Sequence, residues 1–417
     1  MTAPSVLKRN GFVKLFVGQG ISSLGDWMAT VAFIAITHAV TDSPTAIGGI
    51  LVLRLLPGAV AGPLAGRAAQ RFGYRKTMLA MDLARAAMIA VVPFVFALWW
   101  IYLWAFLIEV AGLLFLPARD SSIPELVDAK EAAVANSFIL GSSYGTIPLG
   151  AGLFALFFAV PAVHMGGVVP AQRYAFVFWA DALTFIASFE FIRRINELRG
   201  KSPDLSPEGD AKSPAFHEAF RIPLVRKVLA PTAAIVLGLG ALFSLGIVFV
   251  ENVLGASQTQ FGVLIALFGV GAMAGLGLTK FRPENRLADM RLGVMLCGSM
   301  IIVVGLAPSL LLAFIGSIGF GAGVSYALAS GMTYLQQSLR GEERVLAFTA
   351  FHILIRAGLG LGAIGAGLAG QLIGAVDWPV VGSLEPARVV LSCSGALGVL
   401  SAYVVQQPAA REQTTTA

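Results

Sequence analysis

Twelve long apolar blocks alternate with brief polar clusters along this chain, six on each side of one charged stretch. They fall near residues 12–40, 45–66, 77–99, 100–117, 132–160, 172–192, 228–250, 258–279, 288–306, 309–336, 345–374 and 388–406. Each is long enough to cross a bilayer as a helix, which takes ~20 residues. The pattern predicts an all-α membrane protein of twelve transmembrane helices in two pseudo-symmetric six-helix bundles, 1–195 and 228–406. A cytoplasmic linker is expected over 196–227 and a cytoplasmic tail over 407–417. Two such halves around a central site is a recurrent transporter plan.

The linker reading rests on Pro203, Pro207 and Pro214 among Lys, Asp, Glu and Ser, a composition that favours solvated, extended chain. From His217 to Lys227 a mixed pattern resumes and predicts a short amphipathic helix along the inner surface. In the eleventh block Gly358, Gly362, Ala366, Gly370 and Gly374 recur every four residues, a flat strip for close helix packing. Gly360, Gly362 and Gly365 also match a dinucleotide fingerprint. No strand precedes them and no acidic partner follows, so helix packing is the better account.

Composition agrees with the pattern. The chain is 57% hydrophobic and 12% charged, far from the ~25% charged residues of soluble domains. The first block is too long for a signal-peptide core and has no small-residue cleavage site behind it, so it reads as a spanning helix. Cys297 and Cys393 lie inside predicted helices and offer neither a disulfide framework nor metal spacing. The net charge of +6 would suit a nucleic-acid partner, but its placement argues for none. Of 29 Lys and Arg, only Arg173 and Arg388 fall in the outer loops and Arg54, Arg85 and Arg356 within helices; the rest gather in segments on one side. This positive-inside pattern sets both termini in the cytoplasm of a cell-membrane protein.

The loop between the second and third blocks, GRAAQRFGYRK, runs from Gly66 to Lys76. Its small residue lets helix ends approach, and its basic cluster anchors a tight cytoplasmic turn. It resembles the loop signature of the major facilitator superfamily, matching at Gly66, Arg71, Gly73, Arg75 and Lys76, with Gln70 where that family usually has Asp. Further stretches resemble the macrolide-efflux and enterobactin-exporter branch of its drug:proton antiporters. They are Ser22–Trp27, Met81–Ala86, Pro117–Val127 with Ala135–Asn136, and Phe261–Gly275. Gly141–Gly152, with Pro148, is similar to the glycine-proline antiporter motif of exporters, although a Gly-rich packing surface explains it equally well. The resemblance implies a monomeric secondary transporter working by alternating access, with a cavity lined mainly by helices 1, 4, 7 and 10 and protons exchanged for exported compounds. It implies no cofactor.

Ionisable groups at bilayer depth cost on the order of 2.5–3.5 kcal/mol each on insertion scales, so their default reading is functional. Asp26, Arg54, Glu109, Asp181 and Arg356 fall near mid-membrane; Asp82, Arg85 and His352 lie nearer the inner face. Asp26 and Glu109 sit on helices that the resemblance places at the cavity, where a carboxylate can couple proton and substrate movement. The alternatives are a fixed pair between Asp26 and Arg54 and a buried hydrogen-bonded role for Glu109. Asp82 and Arg85, three apart on one helix, can pair locally; these two, Pro148 and Arg356 are gating candidates. Trp99, Trp100, Tyr102 and Trp104 read as an interfacial aromatic belt.

No nucleophile constellation, metal-ligand cluster or phosphate loop appears, so the chain reads as a transporter and not an enzyme. A proton-coupled exporter of an amphipathic small molecule such as a drug, antibiotic or siderophore leads. A lipid or lysolipid transporter on the same fold and a non-transporting receptor remain as alternatives. Membrane lipids are the remaining partner expected. In the family, the Asp that Gln70 replaces makes charge contacts favouring the outward-open state. Gln70→Asp is therefore expected to reduce the maleimide accessibility of cysteines engineered on the cytoplasmic side; unchanged accessibility removes the idea.

Overall fold

The computed structural model describes residues 5–53, 72–128, 131, 135, 138–139, 141–143, 145–159, 172–198, 221–279, 285–339, 341–373, 376–378 and 382–404. Helices α1 to α6 span Asn10–Thr41, Pro44–Leu53, Tyr74–Val91, Leu98–Ser122, Ile147–Ala159 and Gln172–Arg193. Helices α7 to α12 span Pro223–Val248, Gln258–Leu278, Arg286–Leu306, Leu310–Ser338, Gly341–Leu372 and Pro386–Ser401. Among the described residues nine helices are long and apolar enough to cross a membrane, and Pro44–Leu53, Ala357–Leu372 and Pro386–Ser401 are shorter apolar stretches. Each of the twelve predicted blocks thus contains a helix. A two-stranded antiparallel pair, β1 (Val376–Trp378) with β2 (Gly382–Leu384), lies between α11 and α12, where the sequence predicted only a loop.

Local chemistry explains where the helices stop. The third block was expected to run to residue 99, but α3 ends at Val91 in a 3-10 turn, Val92–Phe94, that contains Pro93. Proline brings no N–H to continue the ladder. The Trp100 indole N–H instead donates to the carbonyls of Val91 and Val92, at 3.3 and 3.2 Å, which the interrupted helix leaves open. Asp42, in a left-handed conformation, closes α1 by donating its N–H to the His38 carbonyl. Asn285 caps α9 by accepting from the Ala288 N–H at 3.0 Å.

The inner-surface amphipathic helix is corrected over its described part. Pro223 to Lys227 form the first turns of the continuous spanning helix α7, with proline at the position that needs no donor. Residues 217–220 lie outside the described residues. Pro148 is the second residue of α5, which follows helical residues 141–143 and a turn at 145–146 within one candidate span, Gly141–Ala159.

The chain divides into two compact units, Met1–Ala46 with Ile50–Glu208 and Ser257–Ala266, and Ile47–Gly49 with Gly209–Ala256 and Leu267–Ala417. In the first, α1 packs on α5 and α6, and α3 on α4 and α6. In the second, α9 packs on α10 and α12, and α7 on α11 and α12. Among the nine candidate spans the most enclosed are α1 at 72% and α7 at 78% buried, which makes them the core helices of their units in that set. Outward-facing Leu83, Leu156, Leu183, Leu311 and Leu361 are exposed, as a surface that meets hydrocarbon requires.

The glycine strip of α11 lies against α7. A Cβ at Gly362 would stand 2.8 Å from the Leu237 Cα, and one at Gly240 would stand 2.5 Å from the Leu359 carbonyl oxygen. Gly358 and Gly370 face Val236 and Leu245 side chains, while Gly374 lies outside the described residues. A Cβ at Gly365 would meet nothing within 4 Å. Gly362→Val should therefore separate the two helices and destabilise the protein by about 1–3 kcal/mol, the usual cost of overpacking. Gly365→Ala should leave thermal unfolding of the detergent-purified protein unchanged.

A charged cluster inside the first unit

Polar residues Gln19, Ser22, Ser23, Asp26 and Thr30 recur at three- and four-residue intervals along α1 and so share one face. Within this line the Gln19 amide donates to the Ser23 hydroxyl at 2.8 Å, and the Thr30 hydroxyl donates back to the Asp26 carbonyl at 2.6 Å. One residue before Asp26, glycine is required by close approach. A Cβ on Gly25 would stand 2.1 Å from Asp181 Oδ1 and 2.2 Å from Thr184 Oγ1, so its absence lets α6 bring a carboxyl onto α1. Asp181 is fully buried, and its Oδ1 accepts from the Thr184 hydroxyl at 3.0 Å. Asp26 and Asp181 line one small cavity with Ala29, Thr30, Phe33, Ile89, Ala105 and Ile108. Its volume open to a water's centre is about 10 Å³, near the least that holds one water.

Arg85 of α3 supplies the positive charge. Its guanidinium donates to the Asp82 carboxylate on the same helix face, and its Nη1 lies 3.9 Å from Asp26 Oδ2. The rings of Phe115 from α4 and Phe185 from α6 hold it, with centroids 4.6 and 4.3 Å from its Cζ. Asp82 is fully buried and Arg85 nearly so, whereas the Asp26 side chain keeps 31% of its surface. At 4 Å two unit charges attract by about 4 kcal/mol at an effective dielectric of ~20. Desolvation takes back several kcal/mol per ion, so close bonding and aromatic contact are both needed to keep the guanidinium here. Among the described residues no three His, Cys, Asp or Glu are grouped to hold a metal ion.

The expected Asp82–Arg85 pair is present. Among the described residues Arg85 stands beside Asp26; Arg54, its expected partner, lies outside them. Glu109 is half-buried on α4, and Asp181 joins the Asp26 cavity. The side chains of His352 and Arg356 fall outside the described residues, as do Gly66, Gln70 and Arg71. Spacing alone did not reveal Arg85, Phe115, Phe185 and Thr184 as neighbours of Asp26 and Asp181. The polar line on α1 was the available signal for the face that meets them.

The described end of the loop from Gly66 to Lys76 meets the C-terminal end of α6. Gly73, before α3, adopts φ 82°, ψ 149°, a conformation almost confined to glycine. Arg75 donates to the Arg193 carbonyl and Lys14 to the Arg194 carbonyl at 2.9 Å, cations on the open carbonyls of a helix end. Lys76 follows in the first turn of α3. Pro148 is buried, and two residues on a Cβ at Gly150 would stand 2.7 Å from the Leu24 carbonyl, so the glycine-rich stretch of α5 packs against α1. Outside the spans, Arg9 binds Asp128 and lies 3.4 Å from Glu131. A hydrogen bond from Ser5 holds the Glu131 carboxyl below the usual range.

Helices of this length and apolarity define a multi-pass membrane protein. Residues 15–363 match the family model of the Major Facilitator Superfamily, and the chain belongs to that superfamily. It is similar to two proteins of Bacillus subtilis (strain 168), each described as an uncharacterized MFS-type transporter. YfiS is 27% identical over 319 residues, covering 74% of this chain and 73% of YfiS. YvqJ is 24% identical over 397 residues, covering 91% and 90%. Among solved structures, an inward-facing, unoccupied bacterial homologue of the human lysosomal transporter Spinster shares the fold. Its TM-score is 0.73 at 16% identity, with 97% of both chains covered.

Removing the guanidinium strands Asp82 in an apolar bundle. Arg85→Met is expected to cost about 3–5 kcal/mol, the range for breaking a buried pair. Adding Asp82→Asn should recover part of the loss in thermal unfolding; a double variant no more stable than Arg85→Met would contradict the pairing.

Proposed function

We propose that this chain is a proton-coupled exporter that moves an amphipathic small molecule, such as a drug, antibiotic or siderophore, by alternating access. The observation that carries the reading is Asp26, a partly accessible carboxylate on the most enclosed helix of its unit, 3.9 Å from an arginine already bonded to another aspartate. Ionising such a group depends on how much of the cation it receives, and protonation removes that dependence. A carboxylate of this kind can load and release a proton as its surroundings change. The resemblance of Ser22–Trp27, Met81–Ala86 and Pro117–Val127 to macrolide and enterobactin exporters supports outward movement. Half-buried Glu109 is the second proposed coupling or cavity residue, suited to a cationic substrate.

The reading includes two six-helix bundles, 1–195 and 228–406, joined by the linker 196–227, in a monomer of the plasma membrane with both termini and the 407–417 tail cytoplasmic. The positive-inside distribution of Lys and Arg supports that orientation. The driving force is adequate, since one charge crossing 100 mV is worth ~2.3 kcal/mol before any pH gradient. In everted vesicles, Asp26→Asn is expected to abolish proton-driven efflux and Glu109→Gln to weaken it at least tenfold, with both proteins folded. Undiminished substrate movement in both variants overturns proton coupling through these residues and favours a lipid or lysolipid carrier. A chain that moves no solute under any gradient is the outcome expected of a receptor.

A further inference from the structure

We propose that Arg85 is the counter-charge against which Asp26 exchanges its proton, and that Asp82 is the positioning residue that sets how much of that charge Asp26 receives. The inference rests on the proton-coupled reading above and adds to it the device that tunes the carboxylate. Three features of the geometry carry it. Arg85 is shared unequally, bonded to Asp82 but 3.9 Å from Asp26. It is confined between the Phe115 and Phe185 rings, so it can lean along that slot without leaving the cluster. Among the described residues Arg85 Nε has no hydrogen-bond partner, so the guanidinium keeps an unused donor beyond its bond to Asp82, which Ser188 also contacts.

Among the described residues three elements bring charge or cavity wall to Asp26. From α3 come Asp82 and Arg85, and from α6 comes Asp181 across the shared cavity. Helix α4 lines that cavity with Ala105 and Ile108, and Glu109 is the carboxylate in the middle of the same helix. The described part of α5, Ile147–Ala159, has no titratable side chain. Arg85 is thus shared by two carboxylates, and the more closely it bonds Asp82 the less of its charge reaches Asp26. Protonating Asp26 lets Arg85 settle on Asp82; ionising Asp26 draws Arg85 along the slot towards α1. The proton thereby changes the strength of the α1–α3 contact.

The test reads protonation at Asp26 without any substrate. A hydrophobic carbodiimide modifies carboxyls in their protonated form, and mass spectrometry resolves modification at Asp26 as a function of pH. Asp82→Asn frees Arg85 for Asp26 and favours the carboxylate, so the labelling midpoint is expected to move to lower pH by about one unit, within the range that a close opposite charge produces. Arg85→Gln removes the cation and is expected to move the midpoint to higher pH. The Asp82→Asn shift should shrink when Arg85 is already Gln, because no charge is then left to release. Arg85→Lys, which keeps the charge, should restore most of the wild-type profile.

Midpoints that stay in place, or that move the same way in Asp82→Asn and Arg85→Gln, overturn the proposal and leave the cluster a structural tie. If Arg85→Gln yields no folded protein, the Asp82→Asn profile decides alone. Failure of the wider reading shows separately, as proton-driven efflux that survives Asp26→Asn whatever the labelling reports.

Discussion

Arg85 buried among hydrophobic helices is the constraint around which the first unit is arranged. A guanidinium never loses its charge under ordinary conditions, so in an apolar bundle it must be given anions and contacts that hold it. Asp82 supplies the first at i−3 on its own helix, and Phe115 and Phe185 bring in α4 and α6. The residual field of the cation reaches Asp26 on α1. Four helices are thus tied through one side chain, and their relative placement around it follows from electrostatics rather than from hydrophobic shape.

That dependence is sharper in lipid than in water. Hydrocarbon tails are as apolar as leucine, so burying a leucine between helices gains little, and association rests on close approach and polar bonds. Gly25 serves both. It removes the atom that would occupy the place of Asp181 Oδ1, so α1 and α6 come close and a carboxyl is brought to the charge cluster in the same contact. In the second unit glycine provides approach alone, as where Gly240 and Gly362 let α7 and α11 pack backbone to backbone. Among the described residues the first unit joins this close approach to a buried charge cluster at its Gly25–Asp181 contact, whereas at Gly240 and Gly362 the approach is between backbones.

How much of this the sequence disclosed follows from the kind of information each feature needs. Helix number and approximate extent were legible because a spanning helix needs a long apolar run, which is local information. The Asp82–Arg85 pair was legible for the same reason, since three residues along a helix fix a shared face. The ends of helices were less so: Pro93 was visible, but the Trp100 side chain that makes the break before α4 tolerable was not an obvious cap. The approach of Arg85 to Asp26 was not legible, because it requires the rotation of α3 about its axis. The Gly25–Asp181 approach sets part of that geometry by bringing α6 onto α1, and it is long-range. The polar line from Gln19 to Thr30 states which face of α1 is special without saying what it meets.

The distribution of charge also argues about where proton chemistry can reside. Helices α1 and α7 are the most enclosed of the candidate spans, yet α1 carries Asp26 in its buried window while α7 carries Thr232 and Ser244 as its buried polar residues. Neither α8 nor α10 contains any Asp, Glu, Lys or Arg. The charges of α9, Arg286, Asp289 and Arg291, fall within its first two turns, and α12 has Arg388 at its start, donating to the Gly305 and Ala307 carbonyls beyond α9. Arg356 is then the one charge in the interior of the second set of spanning helices. A proton needs a titratable group to carry it through a low-dielectric region, and in these spans the sequence offers His352 on α11 and Glu251 near the end of the α7 span, with no carboxylate in mid-span. On the proposed reading, the carboxylates at Asp26, Asp82, Glu109 and Asp181 are the proton-handling groups, and they all belong to the first unit. The asymmetry between two otherwise similar bundles is therefore chemical before it is geometric.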